Sequence, residues 1–147
     1  MRHFSLADFL PYLLNQAAEK TSLDFSSIYR DRYNMLRTEW RVLFHLGHYG
    51  AMTATDIGRM SKMHKTKISR AIKALEDKRY LRRQEVSNDR RSATLSLAPA
   101  GKRAFDDLYA IAERHNKELL SQFSPGETLI LLDCLQRLSG FDRDPSN

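Results

Sequence analysis

With 147 residues, 41% hydrophobic content and a formal net charge of +6, the chain has length for one compact domain, or a small domain with an extension. Its apolar content is enough to build a core, which excludes a wholly disordered protein. No apolar segment approaches the ~18 residues of a membrane span and no basic-then-apolar leader opens the sequence, so the expectation is a cytoplasmic protein without a membrane partner. The single cysteine, Cys134, excludes an intramolecular disulfide and a cysteine-based zinc cluster within one chain.

In chain order, Ser5 followed by Asp8 can cap a first helix whose Leu10, Leu13, Leu14, Ala17, Phe25 and Ile28 recur at helical spacing to about Tyr29. Pro11 either kinks that helix or marks its true first turn, with a separate short piece before it. Thr38 is expected to cap a second helix carrying Trp40, Val42, Leu43 and Leu46, ending at the glycine-punctuated His48-Tyr49-Gly50.

Thr53, with Asp56 three residues on, caps a third helix from Ala54 to about Met60. Ser61-Lys62-Met63-His64 then turns the chain into a fourth helix, Lys65 to about Arg79. Ile68, Ala71, Ile72 and Leu75 share one face of that helix and must pack inward. At 100° per residue, Thr66, Arg70 and Lys73 point directly away, with Lys67 and Ser69 on the flanks. A polar, basic face on a helix anchored by its other side suits the major groove of duplex DNA.

Leu81 to Val86 and Ala93 to Leu97 alternate as two antiparallel strands joined by Ser87-Asn88-Asp89-Arg90-Arg91, a turn-rich tip with two arginines. An arginine on such a hairpin can reach the adjacent minor groove, where narrow stretches concentrate negative potential. Helix, turn, helix and basic hairpin in this order read as a winged helix-turn-helix. Charge distribution agrees: across residues 51–100 twelve Lys and Arg face five acids, a net of +7, and the remainder of the chain sums to −1. Such a concentration favours phosphate binding, because each neutralised phosphate releases condensed counterions.

After Gly101 a long helix is expected to about Phe123, with Phe105, Leu108, Ala112 and Leu119 on one stripe. Ser124-Pro125-Gly126-Glu127 supplies a cap, a proline at the first helical position and an acid at the third for a last helix carrying Leu129, Leu132, Leu135 and Leu138. Residues 142–147 look like a disordered tail. The terminal helices would expose much apolar surface in a monomer, and such patches mark interfaces. The expected fold class is therefore mainly α with a small β-hairpin wing. Residues 37–100 form a winged helix-turn-helix DNA-binding domain, and residues 1–36 and 101–147 form a helical dimerisation region.

These stretches resemble the MarR family of bacterial transcriptional regulators over nearly the whole chain. Thr38-Glu39-Trp40-Arg41-Val42-Leu43 is similar to the family's entry into its second helix, and Lys65-Thr66-Lys67-Ile68-Ser69-Arg70-Ala71-Ile72 with Leu75-Glu76 to its recognition helix. Asp89-Arg90-Arg91, then Leu97 and Gly101, resembles the wing signature Asp-x-Arg, five residues, Leu-Thr-x-x-Gly. The resemblance implies that Arg91 enters the minor groove and that Asp89 orients it by an ion pair. It further implies a triangular homodimer on a pseudo-palindromic operator, with repression relieved by a small, often phenolic or aromatic anion between the dimer helices and the winged domain. Two departures stand out. Ala98-Pro99 replaces the usual threonine, removing a hydroxyl cap before the fifth helix, and His64 occupies a place where Asp or Ser is common, setting an imidazole near phosphate.

The DNA-binding candidates are thus His64, Lys65, Thr66, Lys67, Ser69, Arg70, Lys73, Asn88, Asp89, Arg90 and Arg91, with Ser87 and Asn88 turn formers first. His45 and His48 are three apart on a helix, but no Cys or acid pair completes a metal site, so no metal or cofactor is expected. They read as partly buried residues or as polar groups lining an effector pocket. Cys134 reads as a small packed hydrophobe, with oxidant sensing the less favoured alternative. Tyr12, Phe25, Tyr29 and Tyr109 read as core or interface, or as effector pocket. No Gly-rich phosphate loop, nucleophile elbow or paired-carboxylate arrangement suggests an enzyme. The reading is a sequence-specific transcriptional regulator, a homodimeric, ligand-responsive repressor. A winged-helix protein-interaction module and a non-specific DNA-coating protein stand as alternatives.

Overall fold

The computed structural model describes residues 3–85 and 93–141. The chain forms two compact units, Met1–Ala112 and Glu113–Asn147. In the first unit a short 3-10 turn, Leu6–Asp8, precedes helix α1, Leu10–Tyr33, with Pro11 in its first turn. The separate-piece alternative at Pro11 is therefore the one realised. Ser5 Oγ reaches Asp8 Oδ2 at 3.1 Å rather than a backbone N–H. Helix α1 ends four residues later than expected, at Tyr33, and is closed by Asn34, whose left-handed conformation (φ 52°) is one that asparagine tolerates.

Helix α2, Arg37–Tyr49, begins before Thr38, which is not its cap. The capping group is the carboxylate of Glu39, whose Oε2 accepts the Leu36 N–H at 2.9 Å. An acid at the third helical position does this from within the helix, so no hydroxyl is needed in front. Helix α3, Ala54–Ser61, is capped by Thr53 as expected, with Thr53 Oγ1 accepting the Asp56 N–H at 3.1 Å.

Helix α4, Lys65–Asp77, stops two residues short of Arg79. Arg79 has φ +61°, the Arg79 N–H bonds Glu76 O, and the Tyr80 N–H bonds Leu75 O, a Schellman-type ending that breaks the helix and aims the chain into a strand. Strands β1 (Met52–Thr53), β2 (Leu81–Gln84) and β3 (Thr94–Leu97) form one antiparallel sheet in the order β1-β3-β2, with Met52 opposite Leu95 and Leu81 opposite Leu97. Both hairpin strands are shorter than expected, and β1 was not anticipated: two residues carry no readable alternation and are strand only because β3 pairs with them. Helix α5, Pro99–Leu120, starts ahead of Gly101 and ends before Phe123. Proline is pre-set for a first helical turn, and the Ala98 N–H is taken by Tyr80 O at 2.8 Å.

The core of the first unit gathers Phe25 and Tyr29 of α1, Val42, Leu43 and Leu46 of α2, Ile57 of α3, Ile68, Ala71, Ile72 and Leu75 of α4, Leu81 and Leu95 of the sheet, and Ala104, Phe105 and Leu108 of α5. Recognition-type helix and wing base are thus bolted to one apolar mass. In the second unit, a turn leads from the end of α5 to α6, Pro125–Ser139, opened by a reciprocal capping box: Ser124 Oγ accepts the Glu127 N–H at 3.2 Å and Glu127 Oε1 accepts the Ser124 N–H at 3.0 Å. That hydrogen bonding holds the Glu127 carboxyl below its ordinary pKa. No α6 residue is buried, and Leu129, Ile130, Leu138 and Phe141 are all more than half exposed.

Candidate nucleic-acid interface

Helix α4 is presented by a tightly specified turn. Lys62 ends α3 in the left-handed region (φ 57°), Ser61 Oγ accepts the Met63 N–H at 3.3 Å, and Arg41 of α2 donates from Nη2 to Ser61 O at 2.7 Å. Burial, with the neighbouring Arg37 charge adding to it, lowers the Arg41 pKa from its ordinary value. His64 then caps α4, its Nδ1 accepting the Thr66 N–H at 3.2 Å. The Nδ1 that accepts this bond acts as the capping group, and the His64 side chain as a whole is exposed.

Beyond the cap, Ile68, Ala71, Ile72 and Leu75 are buried while Lys65, Thr66, Lys67, Ser69, Arg70 and Lys73 are all exposed. The structure therefore brings the seven described candidates from 64 to 73 together on one solvent-facing surface. Lys73 Nζ lies 3.9 Å from Asp77, an exposed pair worth little. Asn88, Asp89, Arg90 and Arg91 lie outside the described residues, as do Val86 and Ser87 of the expected hairpin and the tail from 142 to 147. Beside α4, Arg83 of β2 donates from Nη2 to Glu76 Oε1 at 2.5 Å, tying the wing base to the recognition helix. Arg83 also closes a groove of about 470 Å³ between α3 and α4, lined by Arg59, Met63, Lys65, Ile68 and Ser69 among others.

The sequence reading missed the polar fastenings behind this face. Glu39, 4% exposed, accepts from Lys78 Nζ at 2.9 Å through Oε1, and Lys78 Nζ also donates to Asn34 O at 2.5 Å. Tyr33 donates to Asp107 Oδ2 at 2.6 Å, and Arg32 reaches the same carboxylate at 3.0 Å. Burial first, then the Asp107 hydrogen bond and charge, push the Tyr33 hydroxyl up to about 12. An acid at the third position of α2 was the one available signal for Glu39.

Other residues singled out from sequence fall as follows. His45 Nδ1 lies 2.6 Å from Arg41 O, and the ring of His48 stacks on Phe44, which itself stacks on Tyr109. Phe25 and Tyr29 are buried against Trp40, whereas Tyr12 and Tyr109 remain partly exposed. Cys134 is exposed in the single chain rather than packed as a small hydrophobe, because α6 buries nothing within its own unit. Among the described residues no group of three or more His, Cys, Asp or Glu could hold a metal ion, and no helix is long and apolar enough to cross a membrane.

A capped helix-turn-helix, a basic outward face and a three-stranded wing base define a winged-helix DNA-binding regulator. Known proteins agree. The family model "MarR family" matches residues 33–92, from the end of α1 through the wing. The chain is 26% identical over 126 residues to the HTH-type transcriptional regulator YwaE of Bacillus subtilis, covering 86% of this chain and 74% of that one. Among solved structures, a MarR/EmrR family regulator from Acinetobacter sp. ADP1 superposes with a TM-score of 0.82 at 25% identity, covering 93% and 96% of the two chains. BpsR of Bordetella bronchiseptica, whose DNA binding is regulated by 6-hydroxynicotinic acid, shares the fold with a TM-score of 0.83 at 19% identity, covering 96% and 100%. Over residues 33–92 the chain is thus similar to the MarR family, and the relatives it matches are transcriptional regulators.

Proposed function

We propose that the protein is a homodimeric repressor that binds a pseudo-palindromic operator and leaves it when a small aromatic acid binds. The observation that carries this is the outward face of α4, cationic and hydroxylic from His64 to Lys73, on a helix whose opposite face is wholly buried. Lys65, Lys67 and the exposed His64 would meet phosphate, while Thr66, Arg70 and Lys73 would face the base edges. Ser69, Asn88 and Arg90 add phosphate contacts, and Arg91, oriented by Asp89, takes the minor groove. Residues 37–100 act as the DNA-binding domain, and residues 1–36 and 101–147 dimerise. The exposed Leu129, Ile130 and Leu138 of α6, and the exposed Phe4, Leu6 and Leu10 near the N-terminus, supply the apolar surface that a second copy would cover.

Two-fold symmetry then sets the half-sites ~34–36 Å apart, one turn of duplex. A hydroxylated aromatic acid of the kind that regulates BpsR would act by favouring a dimer shape whose recognition helices no longer match that spacing. It does so only through tighter binding to that shape than to the DNA-competent one.

Selection of bound fragments from a random duplex library at near-physiological salt tests the reading. A two-fold symmetric motif with half-sites one turn apart is expected. Recovery without any motif would point to a coating protein or a protein-interaction module and overturn it.

A further inference from the structure

We infer that Lys78 is a positioning residue that sets the direction of the recognition helix relative to α1 and the N-terminal half of α5, an inference that rests on the dimeric reading above. Lys78 stands at the C-terminal end of α4, where a cation also suits the helix dipole. Its ammonium holds two acceptors that belong to neither α4 nor the wing: the carbonyl of Asn34, the residue that ends α1, and Oε1 of Glu39 in the first turn of α2. Glu39 is buried and its other oxygen is committed to the Leu36 N–H. The junction of α1 and α2 and the end of α4 therefore share one ammonium.

The same junction is held from a second side. Arg32 and Tyr33, in the last turn of α1, both bond Asp107 of α5. A displacement of α1 against α5 is thus delivered through Asn34 to the C-terminal end of α4. At 13 residues α4 is about 20 Å long, so a shift at that end tilts the whole outward face while the cap at His64 acts as a pivot. Rigid elements joined by hydrogen-bonded links are what carry coupling between distant sites. A link of this kind decides which half-site separation the two recognition helices of a dimer fit.

The experiment uses the full-length protein and duplexes carrying the selected half-sites at the best separation and at one base pair more and fewer. Affinities are compared for the wild type, Lys78→Gln, Lys78→Arg and the double variant Glu39→Gln/Lys78→Met. The double variant leaves no unpaired buried carboxylate and keeps an amide oxygen for Leu36, so it guards against a variant that fails to fold. Expected is a wild-type preference for one separation that falls about 5-fold or more in Lys78→Gln and in the double variant. Affinity for a duplex with a single half-site should stay unchanged in both, and Lys78→Arg should retain the preference because its guanidinium can span both acceptors. A peaked wild-type profile that both disruptive variants reproduce would overturn the positioning role alone. A wild-type profile without any peak would overturn the dimeric reading and this inference with it. Equal losses on single and paired half-sites, with the preference intact, would make Lys78 merely structural and likewise overturn it.

Discussion

Truncating Arg70 to alanine separates base readout from phosphate attraction. Arg70 is exposed on the outward face of α4, and no salt bridge ties it to another described residue. The buried side of the helix, Ile68, Ala71, Ile72 and Leu75, is untouched, so stability should change by no more than about 0.5 kcal/mol. A bidentate arginine on a base edge supplies about 1–3 kcal/mol of discrimination. A two-fold dimer carries two copies, well separated and so additive, which gives a loss of about 2–6 kcal/mol on the operator, roughly 30-fold to 10⁴-fold. Random duplex should change little. The assay is fluorescence anisotropy with labelled operator and scrambled duplex, each titrated at several salt concentrations. Equal losses on both duplexes, with the slope of log affinity against log salt reduced by about 0.9 for each lost contact, would assign Arg70 to phosphate and refute base readout.

Arg91→Ala should weaken operator binding with little change in melting temperature, as measured by the same titration and a thermal scan; unchanged affinity would remove the wing from the mechanism. Gly101→Ala should destabilise the first unit by about 1–3 kcal/mol, because an added Cβ would overlap the Tyr80 carbonyl oxygen, which the Ala98 N–H holds in place. The helix propensity gained by alanine, about 1 kcal/mol, offsets only part of this, and a chemical-denaturation midpoint at or above wild type would show the contact to be soft. The raised Tyr33 pKa means that the fold favours the neutral phenol. Its contribution to stability is fully present below the unfolded value near 10 and is lost as pH rises through about 12. Tyr33→Phe should lose about 1 kcal/mol at neutral pH and show a shallower fall in melting temperature between pH 10 and 12; identical falls in both proteins would contradict the assignment.

What could be read in the sequence was what local chemistry alone decides. Thr53 with Asp56, and Ser124 with Pro125 and Glu127, are caps whose partners sit within four residues, and both form as read. The division of α4 into a buried and an exposed face follows from a 100° step and nothing else. Thr38 failed for a local reason, since the adjacent Glu39 caps the helix in its place. Other failures came where a distant partner decides: β1 exists only through β3, and α5 starts at Pro99 where Tyr80 takes the Ala98 N–H. The links through Lys78 and Asp107 join residues 39 to 75 positions apart. No spacing rule announces them, since a lysine at a helix end is ordinarily a solvated charge.

These links divide labour along the recognition helix. The described side chains that tie it to its neighbours, Arg83 to Glu76 and Lys78 to Asn34 and Glu39, leave the outward positions from Lys65 to Arg70 out of the ion pairs of the fold. Substitution at the outward positions should therefore alter which duplex is preferred at small cost in stability. Substitution at Glu39 strands a charge in a buried place, with a cost of about 3–5 kcal/mol for a fully buried pair and less here because Lys78 keeps a quarter of its side chain in water. Duplex preference should thus be able to drift by changes at the exposed positions 65, 66, 67, 69, 70 and 73 while the buried frame stays fixed. A set of alanine variants across α4 should accordingly fall into two groups, one shifting duplex preference without the melting temperature and one shifting the melting temperature first. A single continuous trend linking the two quantities would show that reading and anchoring are not separate in this helix.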